Sequence, residues 1–109
     1  MTTKELKIEI IKSYLNDWVD GKWFFNEDWS VDVIGDVILD QYVYPFPKLP
    51  CKFDNVSGDF VVSYNSLKSL DNFPNRIGGG IYTFGNPFYN NPEHLEYIKL
   101  VKCKHEDEN

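Results

Sequence analysis

The sequence predicts an α/β (α+β) fold, a short leucine-rich-repeat-like solenoid of two to three strand-turn units with helical caps. Three observations predict it. Stretches with helical spacing lie near both ends, short alternating apolar runs fill the middle, and those runs recur at a near-constant interval. A chain of 109 residues suffices for one domain with a modest core and is too short for two ordinary ones. Aromatic side chains make up 17% of it, which supplies the apolar surface that a small core needs.

Residues 3–18, TKELKIEIIKSYLNDW, place Ile8, Ile11, Leu15 and Trp18 at three- and four-residue steps, with Lys and Asp on the other face. That spacing predicts an amphipathic capping helix. Thr3 is the expected N-cap, Glu5 suits the positive end of the helix dipole, and Gly21 is expected to stop the helix. Beyond it, Trp29, Val31 and Val33 alternate with Ser30 and Asp32, and a second apolar burst runs from Val37 to Leu39. This is strand patterning, and it opens a repeat-like region over 29–88. Trp23, Phe24, Phe25 and Trp29 read as packing between the helix and the first strand, with an aromatic recognition patch as the alternative. Near the other end, NNPEHLEYIKLVKCK predicts a second capping helix over 92–103, with Asn91 as N-cap and Pro92 in its first position. The alternation of Leu95, Tyr97 and Lys99 leaves a strand open there, and residues 104–109 are expected to be a flexible tail.

The recurrence is visible when VIGDVILDQY from Val33, VSGDFVVSYN from Val56 and IGGGIYTFGN from Ile77 are aligned. The starts are 23 and 21 residues apart, inside the period of leucine-rich-type solenoids. Gly35, Gly58 and Gly79 then coincide, as do Val37, Phe60 and Ile81, and Tyr44, Leu67 and Phe88. Leu39 and Val62 share a column with Thr83. Asn65 and Asn86 share another, where the first unit has Tyr42. An asparagine at a strand end can bond backbone groups that the turn leaves unpaired. Pro45, Pro47, Pro50 and Pro74 suit irregular return segments.

The stretch GDFVVSYNSLKSLDNFPNRIGGGIYTFGN resembles the degenerate leucine-rich-type repeats of short bacterial-virus proteins. Their units run approximately as Gly-(Gly/Asp)-aromatic, then Ser-x-Asn-x-Leu-x-Ser-Leu, then Pro and Val-Gly-Gly. More loosely, the stretch is similar to the Leu-Pro repeats of bacterial effector proteins. The resemblance covers residues 33–88, although VYPFPKLPCKF replaces the Asn-x-Leu segment in the first unit. It implies a solenoid of phage origin with an interaction role, and it carries over no catalytic residue.

If Phe60 and Val62 point inward, Asp59, Val61 and Ser63 point outward, because side chains alternate along a strand. The corresponding outward sets are Asp36, Ile38 and Asp40, and Gly80, Tyr82 and Phe84. Tyr64 joins them if the alternation lapses at its strand end. The expected protein-binding face is therefore an apolar column of Ile38, Val61 and Tyr82, flanked by Asp36, Asp40 and Asp59 and ending at Phe84. Aromatic residues rimmed by charge are the usual composition of a protein interface. A terminal segment folded across the face, or a homodimer through it, would account for the same residues.

Seventeen acidic against eleven basic residues give a net charge of −6, so no direct nucleic-acid binding is expected. The leading expectation is a non-enzymatic cytoplasmic protein of a bacteriophage that inhibits or redirects a host or viral protein, in defence or gene expression. One alternative is an acidic mimic of nucleic acid, since Asp28, Asp32, Asp36 and Asp40 recur every four residues and would share one side of a strand. An immunity or antitoxin protein and a virion component are the others.

No cofactor, metal or membrane span is expected. Cys51 and Cys103 make no disulfide framework, and the N-terminus has charges where a leader needs an apolar run. Cys103, His105 and Glu106 lack four-ligand spacing. His94, beside Glu93 and Glu96, reads as a solvated helix histidine. IGGGIY leads into a strand pattern rather than a helix, which argues against a phosphate loop.

Overall fold

Helix α1 (Thr3–Trp18) forms where the apolar spacing places it in the computed structural model, which describes residues 2–39, 47–88 and 91–107, with side chains described as far as Val101. Its N-cap is Thr2 rather than Thr3, with Oγ1 accepting from the Glu5 amide at 3.1 Å. Leu15 and Trp18 are buried, and Tyr14 stacks on Trp18 at 4.8 Å between ring centroids.

The helix ends at Trp18, three residues before Gly21, because β-branched Val19 goes straight into an extended strand, β1 (Val19–Phe25). Gly21 lies inside that strand, facing Gly35 of β2 (Val31–Ile38) in an antiparallel register that runs from Val19↔Val37 to Phe25↔Val31. Trp29 belongs to the β1–β2 turn, with φ at 66°, so the alternating strand starts at Val31. In this turn Asp28 Oδ1 accepts from the Ser30 hydroxyl at 2.6 Å and from its amide at 3.0 Å. Those bonds hold the Asp28 carboxyl below the usual carboxylate range. Trp23 does pack toward the helix, donating from Nε1 to Asn16 Oδ1 at 3.1 Å, and Phe25 joins it to Trp29 edge-on.

On its other edge β2 pairs in parallel with β3 (Phe53–Val56) along its first half and with β4 (Phe60–Val61) along its second. Strands β5 (Arg76–Ile77) and β6 (Ile81–Tyr82) continue these two ladders, giving the order β5-β3-β2-β4-β6. The partners Val33↔Val56↔Ile77, Val37↔Phe60↔Ile81 and Ile38↔Val61↔Tyr82 match the columns of the sequence alignment. Leu39, Val62, Leu67 and Phe88 are buried at the predicted inward positions, while Tyr42, Tyr44 and Pro45 lie outside the described residues. The fold is mixed α/β, with two helices and a largely parallel sheet among the described residues.

A row of edge-on rings ties the parts together: Phe53 to Phe60 at 5.7 Å, Phe60 to Phe73 at 5.4 Å, and Phe73 to Phe88 at 5.5 Å. Each such pair contributes about 1 kcal/mol beyond area burial. Phe73 also meets Tyr97 of α2 (Pro92–Asp107), whose hydroxyl donates to the Pro74 carbonyl at 2.7 Å. Asn91 caps α2 as expected, its Oδ1 accepting from the Glu93 amide at 2.9 Å. The helix runs past the expected end at residue 103 as far as Asp107, because no Gly or Pro interrupts that stretch.

Cys51 is buried, and burial pushes its thiol up to about 12. In a Cys103→Ser background, iodoacetamide at pH 8 is expected to leave the folded protein unlabelled and to modify Cys51 only in denaturant. Rapid labelling without denaturant would contradict this packing.

Candidate protein-binding face

The outward residues of the second ladder come together as the alternation predicts. Ile38, Val61 and Tyr82 are in register across three strands, with Ile38 43% and Tyr82 44% exposed and Val61 half-buried. Phe84, 54% exposed, and Tyr64, 47% exposed, extend the row. Among the described residues α1 packs against β1 and α2 against β5, and Ile38, Tyr82 and Phe84 stay exposed.

Tyr64 enters the face through its backbone. It adopts the left-handed conformation, φ 57°, at the position that aligns with Gly85, φ 76°. A tyrosine there costs about 1–2 kcal/mol relative to a relaxed backbone. The next residue sustains it: Asn65 Nδ2 donates to the carbonyls of Leu39 at 2.7 Å, Val62 at 3.1 Å and Ser63 at 3.1 Å. Asn86 repeats the arrangement, donating to Val62 at 2.7 Å and Thr83 at 3.0 Å while its Oδ1 accepts from the Leu67 amide at 3.3 Å. The Tyr64 ring lies against Gly85, where any side chain would overlap it.

Several expected site residues have other duties. Ser63 is buried, 9% exposed, although Phe84 at the aligned position is 54% exposed, and Tyr64 in its left-handed turn stands outside. Asp36 and Asp59 are half-buried rather than a charged rim. Asp36 Oδ1 accepts from the Asp59 amide at 2.7 Å, and Asp59 Oδ1 accepts from the Gly80 amide at 2.7 Å. Asp40 lies outside the described residues. His94 is not solvated: it is 4% exposed, with Nε2 2.9 Å from Thr83 Oγ1 and its ring edge-on to Phe88 at 5.0 Å.

On this side of the sheet exposed Ile34 of β2 escaped the sequence reading, and Phe24 of β1, read as packing under the helix, is exposed. Ile34 has the same strand parity as Ile38, which was the available signal. Both line a depression of about 310 Å³ with Ser57 and Arg76.

Of the acidic stripe, Asp32 and Asp36 are half-buried, whereas Asp28 is exposed and Asp40 lies outside the described residues. Besides Asp28 and Asp36, Asp32 Oδ1 accepts from the Asn55 amide at 3.1 Å, from Asn55 Nδ2 at 3.2 Å and from Asn26 Nδ2 at 3.0 Å. Among the described residues no three His, Cys, Asp or Glu side chains converge on a metal position, and no helix is long and apolar enough to cross a membrane. The side chains of Cys103, His105 and Glu106 lie outside the described residues. No protein family, curated protein or solved structure matches the chain.

Asp36→Ala would strand the half-buried amide of Asp59 and is expected to lower stability by about 1–3 kcal/mol in urea unfolding. Gly58→Ala should cost more, since its Cβ would strike the Asp36 carboxylate and the Gly35 carbonyl at once. An unchanged midpoint for Asp36→Ala would remove the carboxylate from any supporting role.

Proposed function

We propose that this chain is a short leucine-rich-type stack that captures another protein through the Ile38, Val61, Tyr82 face, without catalysing a reaction. The observation that carries the reading is one row of exposed apolar side chains in register across three parallel strands and extended by two aromatic residues. Singly scattered apolar residues need no explanation, whereas a contiguous aromatic-rich patch is typical of an interface. The stack is supported by 23- and 21-residue intervals that coincide with strand pairing. The further assignment, a bacteriophage protein acting in the host cytoplasm on a protein of host defence or gene expression, rests on the resemblance of residues 33–88 to phage repeats. The internal bonds of half-buried Asp32 and Asp36 speak against a nucleic-acid mimic, which needs its carboxylates turned to solvent.

Affinity capture with tagged protein from infected and uninfected bacterial lysate, washed at low and high salt, tests this reading. A single protein is expected to survive the high-salt wash, because an aromatic-centred contact is screened less than a charged one. Tyr82→Lys and Phe84→Lys should each abolish that capture with the unfolding midpoint unchanged. Retained capture by both variants would refute the face.

Tyr64→Gly gives a second check. It relieves the left-handed cost of about 1–2 kcal/mol, so the variant should unfold no earlier than the parent while capturing less partner.

A further inference from the structure

The edge of β6 is laid out for one more strand. The carbonyls of Gly80, Tyr82 and Phe84 accept from the amides of Phe60 at 2.9 Å, Val62 at 2.8 Å and Tyr64 at 2.6 Å, all on the β4 side. Backbone groups alternate in direction along a strand, so the N–H and C=O of Ile81 and the N–H of Thr83 are directed to the outer edge. Strand β6 is last in its ladder, and helix α2 packs on β5 beside it. Edge strands are commonly protected by charge or proline, yet Gly80 to Phe84 reads GIYTF, with neither.

Next to this edge lies a depression of about 350 Å³ between β6 and α2, lined by Ile81, Phe84, Leu95, Ile98 and Lys99 among others. Leu95 is 64% exposed there. Lys99 is exposed too, and among the described residues no carboxylate lines the depression. An apolar floor with the Lys99 ammonium at its rim selects an apolar side chain with a carboxylate nearby. A second copy of the chain fits this less well, since each carries a net charge of −6.

We infer that the captured partner adds a strand: an extended segment, apolar at alternate positions and bearing Asp or Glu, pairs with β6 and sets one apolar side chain between Ile81 and Leu95. The chain already extends its sheet in this direction twice, from β2 to β4 and from β4 to β6. A partner strand continues the same geometry, the main chain giving affinity and the depression giving choice. The inference names the partner class for the proposed binding function and rests on that reading.

The test uses a displayed library of random linear peptides against the full chain, with Leu95→Glu, Lys99→Glu and Ile38→Lys variants checked for fold by circular dichroism. Enriched peptides should alternate apolar residues and carry Asp or Glu. Methylating one pairing backbone nitrogen of a resynthesised peptide should weaken it about fivefold to tenfold. Leu95→Glu should abolish binding, and Lys99→Glu should reverse the preference toward Lys or Arg. Peptides with helical spacing, indifference to N-methylation, absence of enrichment, or dimerisation of the chain that Leu95→Glu abolishes would each overturn strand addition. Ile38→Lys separates the two readings. Lysate capture lost with Ile38→Lys but kept with Leu95→Glu leaves the face standing and removes the added strand, and the converse removes the face while keeping the edge.

Discussion

The hydrogen bond from an aspartate carboxylate to the backbone amide of the next segment is the constraint on which the parallel sheet depends. Asp36 reaches the amide of Asp59, and Asp59 reaches that of Gly80, both at 2.7 Å. Each carboxylate occupies the space where the residue at 58 or 79 would place a Cβ, so that residue must be glycine. The Gly-Asp pairs at 35–36 and 58–59 therefore act across segments: the aspartate of one fits the glycine of the next. Charged acceptors make shorter and stronger bonds than neutral ones, which suits a junction where the ladder would otherwise break between β3 and β4. The same economy takes Asp36 and Asp59 out of the outward field, so neither supplies a charged rim to the apolar row.

The asparagines carry this order to the far end of each strand. With one amide group Asn65 satisfies carbonyls from two successive segments, Leu39 on one side and Val62 and Ser63 on the other. Such buried amides oppose loss of register, since a slip of one residue would leave several buried carbonyls without donors. They also stabilise the left-handed residue just before them, and that residue is Tyr64. Strain of this kind persists where the surroundings over-determine the backbone, and it is concentrated at functional positions. Tyr64 is thus held outward with its ring against Gly85, its freedom already restricted before any partner arrives.

What was legible in the sequence was what periodicity encodes. The inward columns Val37, Phe60, Ile81 and Leu39, Val62, Thr83, and the outward row Ile38, Val61, Tyr82, follow from an interval and an alternation. Strand β1 was not legible, because Val19 to Phe25 has no echo and pairs antiparallel with a strand that periodicity places first. The duty of Asp36 and Asp59 was hidden for a related reason: an outward carboxylate looks the same in sequence whether it meets solvent or a backbone amide 23 or 21 residues on. Tyr64 stands outside because one positive φ shifts side-chain parity from that residue onward, and nothing in a tyrosine announces that conformation. His94 was misread because Thr83 and Phe88, which bury it, come from an element that helix spacing does not report.

The third segment differs from the first two where the chain stops adding strands. Gly80 stands in place of the aspartate, so no carboxylate reaches onward for a further amide. The self-extending device ends there, yet the backbone edge that it served does not. Helix α2 covers the β5 half, where Tyr97 bonds to the Pro74 carbonyl, while its first turn meets the end of β6 through His94 and Thr83. A chain selected only to close its sheet could have placed a lysine or a proline among Gly80 to Phe84, the ordinary defence of an edge. It has instead an uncharged run that gives Tyr82 to the outward face, Ile81 and Thr83 to the helix-lined depression, and Phe84 to the border of both. Loss of the onward carboxylate, absence of edge protection and exposed aromatics at one end of the sheet converge on the same place, the side of β6 from which the chain itself has withdrawn.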